Sequence, residues 1–303
     1  MIARHRFLIR SELEDLGTCL NARTVLCNLC GGSERDLVYE HGPLSLVRCT
    51  SCGLVYQPNP PAAEWLESFY SFEAGYHRGF AEDPELIRRH AALAQRHVDQ
   101  LAEFRRPPGK LLDVGCAAGF FLDRARLAGW EVTGIEVSRD TAEIARERYG
   151  LEVQTGRLES AVLEAGSFDC VTMWDVIEHV PDPAGSLARA RDLLVAGGLL
   201  AIVTPNIEGL YPRASLPLGR RVGWWPHAGL PGHLFQFGEG PLRRMLEAHG
   251  FAVSAVRHRR IPLFFDHRGS ILRVAFAAAF SPSWVVRPWV RRGDEILVAA
   301  TRR

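Results

Sequence analysis

The stretch "LLDVGCAAGFFL", residues 111–122, decides how this chain is read. An apolar run ends at Asp113, and Gly115 and Gly119 then bracket Cys116, Ala117 and Ala118 ahead of two phenylalanines. Such a strand, entering a glycine turn that opens a helix, is where nucleotide-binding folds hold their cofactor. The dinucleotide loop needs G-x-G-x-x-G, so that backbone can approach a pyrophosphate. Here Ala117 and Phe120 stand where its second and third glycines belong, and the fingerprint fails. The remaining acid and G-x-x-x-G turn suit a nucleoside cofactor without a pyrophosphate. Gly115 permits close backbone approach, and a carboxylate at Asp113 favours a cationic ligand. Glu136 closes the next apolar segment, "VTGIE", about twenty residues beyond the loop, the spacing of an acid that accepts ribose hydroxyls.

Outward from this loop the pattern alternates strand and helix. "KLLDV", "WEVTGIE", "LEVQ", "FDCVTMW" and "GLLAIVTPN" read as strands. Between them, "GFFLDRARLAG" reads as a helix stopped by Gly129. "SRDTAEIARERYG" reads as a helix capped by Ser138 and stopped by Gly150, and "DPAGSLARARDLLVAGG" as one with Asp182 as N-cap and Pro183 in its first turn. This order predicts an α/β, doubly wound, mostly parallel sheet covered on both faces. A Pro-, Gly- and Trp-rich insertion at about 205–238 interrupts it and reads as a loop-rich lid. The helix "GPLRRMLEAHG" and strand "FAVSAVRH" follow, then a second insertion at about 261–292, then the terminal strand "EILVAATRR".

Composition narrows the class. A formal net charge of +1 over 303 residues lacks the basic excess of a nucleic-acid binder. The first residues have no uninterrupted apolar core of a signal peptide, and "VAFAAAF" (274–280) is too short to span a bilayer, so the expected compartment is the cytoplasm.

Four of the seven cysteines are ordered: "CNLC" gives Cys27 and Cys30, and after an 18-residue spacer "CTSC" gives Cys49 and Cys52. Two CxxC turns at this separation predict a zinc ribbon over 25–60, its four thiolates closing the metal and making it structural. A redox dithiol would not explain two such turns. Residues 1–24 form a lead-in, and 61–108 a helical connector with Leu86, His90, Leu93, His97 and Leu101 on one face. The main domain fills 109–303. Acidic residues offset Arg35 and Arg48 in the ribbon, so it is expected to pack on the main domain, with Tyr70, Tyr76 and His77 placed to reach the pocket or merely to pack a linker.

"LLDVGCAAGF", "VTGIEVS", "FDCVTMWDVIEHVPDP" and "LLVAGGLLAIVTPN", in this order, resemble the class I S-adenosylmethionine-dependent methyltransferases. The resemblance implies a seven-stranded sheet ending in an antiparallel hairpin. It implies that Asp113, Gly115, Cys116 and Gly119 shape the methionine end of the pocket and that Glu136 binds the ribose. Trp174 and Asp175 lie at the switch point of the sheet. Leu158 in "TGRLES" would face the adenine, although Arg157 and Glu159 stand where relatives often carry an acid. His179 in "IEHVPDP" is the first candidate for a general base and His233 in "GHLFQF" the second; each has an equally simple reading as a structural histidine.

The implied reaction is methyl transfer to an oxygen or nitrogen of a small molecule, less favourably to carbon. A saccharide, a lipid-linked compound or a secondary-metabolite intermediate would serve as acceptor. The ribbon also resembles that of deoxysugar C-methyltransferases, but the long C-terminal portion of those enzymes has no counterpart. In the first insertion Arg213, Arg220 and Arg221 would bind an anionic acceptor or remain solvated. In the second, Trp284 and Trp289 among arginines would touch a membrane, close over the sheet or form a dimer contact. The rival reading is an inactive cofactor-binding partner that uses its ribbon for assembly.

Overall fold

A computed structural model describes Leu20 and residues 24–70, 83–259 and 293–303. Most of the lead-in, Tyr76 and His77, and the insertion at 261–292 with its tryptophans lie outside the described residues.

The main sheet forms from β4 (Lys110–Val114), β5 (Glu131–Glu136), β6 (Val153–Thr155), β7 (Phe168–Trp174), β8 (Leu194–Pro205), β10 (Phe251–Arg259) and β11 (Glu295–Arg302). Its order is β10-β11-β8-β7-β4-β5-β6, with β6 to β8 parallel and β11 antiparallel to both β8 and β10. The seven strands and the terminal hairpin match the sequence expectation. Strand order reverses between β4 and β7, which places the glycine loop and the segment after β7 side by side.

Successive residues face opposite layers, so each strand feeds two cores. Leu112, Val114, Val171, Met173, Leu200 and Ile202 are buried with α5 (Pro183–Leu193) and α7 (Glu239–Ala248). Leu111, Cys170, Ala201, Val203 and Leu297 are buried with α2 (Pro84–Leu101), α3 (Phe120–Leu127) and α4 (Arg139–Tyr149). Each fully buried leucine here contributes about 2 kcal/mol by leaving water. The caps follow the sequence: Ser138 Oγ accepts from Thr141 N, Asp182 Oδ1 accepts from Gly185 N, and Gly150 ends α4 in the left-handed conformation. Among the described residues no helix is long and apolar enough to cross a membrane.

The cysteine segment builds β1 (Arg35–His41), β2 (Leu44–Cys49) and β3 (Val55–Tyr56), followed by α1 (Ala63–Phe69). It does not form its sheet alone. β9 (Phe235–Gln236), from the first insertion, pairs antiparallel with β3 and completes the order β1-β2-β3-β9. The insertion also differs from its loop-rich reading, because Leu210–Val222 is a helix, α6, despite Pro217 inside it. Tertiary contacts outweigh that breaker: Trp225 Nε1 donates to Ser215 Oγ at 3.0 Å, and Arg220 Nε donates to the Val38 carbonyl at 2.8 Å.

Gly119 marks where α3 meets α4. Its φ is +81°, and a Cβ there would lie 2.6 Å from Leu151 Cδ1 and 2.9 Å from Ala145 Cβ. Gly119→Ala is expected to cost about 2 kcal/mol or more in a denaturant melt. A variant within about 0.5 kcal/mol of the parent, the usual range of a neutral surface change, would contradict this packing.

Candidate active site

A cavity of about 160 Å³ opens at the C-terminal ends of β4, β5 and β7, walled mainly by apolar atoms. Gly115, with φ +69°, lines it, and a Cβ there would come 2.6 Å from Val176 Cγ2. A side chain would therefore push apart the two loops that form the floor. Ala117 and Asp175 also line the cavity, both non-glycine residues in the left-handed region, at φ 48° and 54°. Each costs about 1 kcal/mol or more, a strain that collects where geometry is imposed by function.

Glu136 anchors one end. Its Oε2 accepts from Ala117 N and its Oε1 from Ser138 N, each at 2.9 Å. Burial raises its pKa, while the backbone N–H groups of Ser138 and Ala117 oppose that rise. Beyond it, Gly156, Arg157, Leu158 and Glu159 form a further wall, where Ser186 Oγ donates to Glu159 Oε1.

Three expected cofactor residues lie behind the wall. The Asp113 carboxyl points between strands and accepts from Thr172 Oγ1 at 2.6 Å; burial, with the Glu136 charge adding, pushes its pKa up to about 8. Its carboxyl therefore does not line the cavity. Cys116 packs against Gly134 of β5, and Gly119 against α4. Trp174 and Asp175 lie on the cavity as expected, and Trp174 stacks on His97 of α2 with ring centroids 4.3 Å apart.

His179 stands at the other end. Its Nδ1 lies 2.9 Å from the Gly232 carbonyl and 2.8 Å from Tyr70 Oη, and Tyr70 Oη donates to the same carbonyl at 3.2 Å. With the hydrogen on Nδ1 the ring donates to the Gly232 carbonyl, which can only accept, and Nε2 then carries the lone pair. Burial pushes the pKa down to about 4. The Glu178 carboxyl is buried, accepts from Thr204 Oγ1 at 2.9 Å, and is pushed far up by burial and by Asp175. His233 is not on the cavity wall, but its ring centroid is 4.7 Å from that of His179. Donor atoms of Glu178, His179 and His233 lie within 4.8 Å of one another. Arg220 binds the ribbon backbone, away from the cavity. Sequence reading missed the Gly232 carbonyl because a backbone acceptor leaves no side-chain signature; Tyr70 was legible only as one aromatic among several.

The sulfur atoms of Cys27, Cys30, Cys49 and Cys52 also lie within 4.8 Å of one another, with Cys27–Cys52 at 3.4 Å and Cys30–Cys49 at 3.5 Å. A tetrahedron with Zn–S of about 2.3 Å needs sulfurs about 3.8 Å apart, so the donor set fits zinc with no position open for substrate. The ribbon docks near the cavity. Asn28 Nδ2 donates to Asp182 Oδ1 at 2.9 Å while Asn28 Oδ1 accepts from Ala184 N at 3.1 Å, and Arg244 donates to the Cys52 carbonyl.

A family model described as a methyltransferase domain matches residues 86–256. The ubiquinone biosynthesis O-methyltransferase of Aromatoleum aromaticum is 32% identical over 148 residues, covering 41% of this chain and 63% of that protein. Relatives of that name are thus matched over less than two-thirds of their length. A Mycolicibacterium smegmatis protein named "Probable S-adenosylmethionine-dependent methyltransferase" is 28% identical over 73% of this chain and 79% of its own. Among solved structures, a "possible histamine N-methyltransferase" of Thermotoga maritima shares the fold, with a TM-score of 0.53 and 21% identity over 80% of this chain and all of that one.

Two measurements test the assignments. Metal analysis is expected to find one zinc per chain, lost in Cys49→Ser; equal zinc in both would contradict the site. Nitrogen-15 NMR of the histidines is expected to show His179 as the Nδ1–H tautomer, uncharged at neutral pH and protonating only as pH falls past about 4. A ring charged at pH 6 would contradict the assigned base.

Proposed function

This chain belongs to the S-adenosylmethionine-dependent methyltransferases, and we propose that it moves a methyl group to a hydroxyl or amine of a small molecule. When bound, S-adenosylmethionine supplies an electrophilic methyl group on a sulfonium. One observation carries the reading: one largely apolar cavity with a buried carboxylate, Glu136, at one end and a buried imidazole, His179, at the other.

Within that reading Glu136 holds the ribose, Leu158 packs on the adenine, and Glu159 stands beside Leu158 to accept from its amine. Gly115, Trp174 and Asp175 enclose the methionine end, with the Asp175 carboxylate at the rim in the charge role expected of Asp113. Asp113, Cys116 and Gly119 support this end from behind. His179 Nε2 takes the acceptor's proton as the nucleophile attacks, while the Gly232 carbonyl fixes the tautomer that leaves Nε2 unprotonated. His233 and the buried Glu178 border the ring and limit access of water. The apolar walls favour transfer by excluding solvent from a reaction in which charge is neutralised. Oxygen is the preferred target atom, in line with the names of the O-methyltransferase relatives; a saccharide, lipid-linked or secondary-metabolite acceptor fits equally. Zinc holds the ribbon and takes no part in the chemistry.

Calorimetry with S-adenosylhomocysteine tests the cofactor end. Binding is expected for the parent, and Glu136→Ala is expected to weaken it about tenfold or more, the loss of hydrogen bonds to a charged group. No heat from the parent at millimolar ligand would sink the reading. A parent that binds but labels no hydroxyl or amine in a screen with labelled cofactor would favour the inactive-partner alternative.

A further inference from the structure

Gln57 follows β3 directly, in "VYQPNP" of the ribbon segment, and is buried at 2% exposure. Pro58 after it keeps the backbone at Gln57 extended, so the strand path of β3 continues for one more residue. Its backbone N donates to the Leu234 carbonyl at 2.8 Å, prolonging the β3–β9 pairing. Its side chain then does something the ladder does not require. Nε2 donates to two carbonyls of the facing turn, those of Pro231 and His233, each at 2.8 Å. Only the NH2 group can face two carbonyls, so the amide orientation is fixed by its partners.

Between those two residues lies Gly232, whose carbonyl accepts from His179 Nδ1 and from Tyr70 Oη. The approach is close: a Cβ at Gly232 would sit 3.0 Å from Tyr70 Oη. From the other side, Leu234 N and Phe235 N both donate to the Glu178 carbonyl, at 2.8 and 3.1 Å. One turn, 231–234, is therefore held by the ribbon on its far side and holds the imidazole on its near side. We propose that Gln57 is a positioning residue for the acceptor end of the cavity: it pins the turn at Pro231 and His233, and through the Gly232 carbonyl it sets the tautomer and orientation of His179.

The proposal rests on the reading of the His179 end as the acceptor site, and it gives the cysteine ribbon a part in catalysis beyond covering the domain. The groups facing His179 are Asp175 and Glu178 from its own loop, Tyr70 at the C-cap of α1 and His233 from the turn. With the clamp cut, these stay in the chain, but the turn loses two of its ties and the Gly232 carbonyl is no longer held against Nδ1. Water then reaches the ring, whose pKa rises from about 4 toward the free value of 6.5.

The test compares the full-length parent with Gln57→Met, which keeps the length of the side chain without its donors, and Gln57→Glu, which keeps the shape and reverses the hydrogen-bonding at that end. The readout is the nitrogen-15 NMR signature of His179, assigned through His179→Gln. In either variant that folds, His179 is expected to show mixed tautomers and to titrate closer to 6.5. Zinc content should stay at one per chain, and affinity for S-adenosylhomocysteine should stay within about twofold, since Glu136 and the glycine loop are untouched. A folded variant with the parent's tautomer and titration would overturn the proposal. Failure of both variants to fold would overturn it too, making Gln57 a core residue and nothing more. Failure of the cofactor reading is separately visible, as a parent that binds no S-adenosylhomocysteine.

Discussion

The carboxylate of Glu136 holds together the ends of two neighbouring parallel strands. It takes one backbone N–H from the loop after β4, at Ala117, and one from its own strand's exit, at Ser138. The first donor lies in the loop ahead of α3 and the second at the N-cap of α4, and without the carboxylate neither has this partner to hold the two loops together. Burial makes this arrangement demanding, because an ionised carboxylate away from water must be repaid by hydrogen bonds, and the two N–H groups supply them. The left-handed backbone of Ala117 is tolerated on the same account: its N–H is turned toward the carboxylate. The cavity exists because this tie keeps the floor open.

A second dependence runs across the domain boundary. The ribbon's β3 has only two residues, too short to be stable as an edge, and it is covered by β9 from the insertion. In return the ribbon caps the main domain: Asn28 meets the first exposed N–H of α5 at Ala184, and α6 lies against β1 through Arg220. Neither piece satisfies its own backbone alone. Folding of the metal segment and formation of the wall around His179 are thereby linked, although the cysteines lie in a different part of the sequence.

Strands and helices were readable where a single rule dominates. "FDCVTMW" is buried on both faces and reads as a strand from apolar residues on both of its faces; Ser138, Gly150 and Asp182 act at the helix ends that their chemistry predicts. The reading failed where two rules compete. The helix 210–222 carries internal prolines and glycine that argue for a loop, yet Gly219 is needed because a Cβ would meet Trp225 at 2.7 Å. At Asp113 the sequence offers an acid beside a glycine loop. It does not reveal that the side chain turns inward to Thr172, where burial raises its pKa to about 8.

Sequence alone made the methyl-donor reading of this protein legible: the glycines a pyrophosphate needs are missing, Glu136 stands at the spacing of a ribose-binding acid, and four cysteines at CxxC spacing fit a metal ribbon. These are local signals, because a turn, a strand end or a thiolate pair has to be encoded by adjacent residues. Only the tertiary structure decided the other half. His179 meets a carbonyl 53 residues away, an aromatic neighbour at the C-cap of α1, and a turn that bonds to Gln57, a partner 174 residues distant in sequence from Pro231. Such a site is made of backbone carbonyls and packed rings whose meeting depends on how two sheets dock, and no spacing along the chain records that.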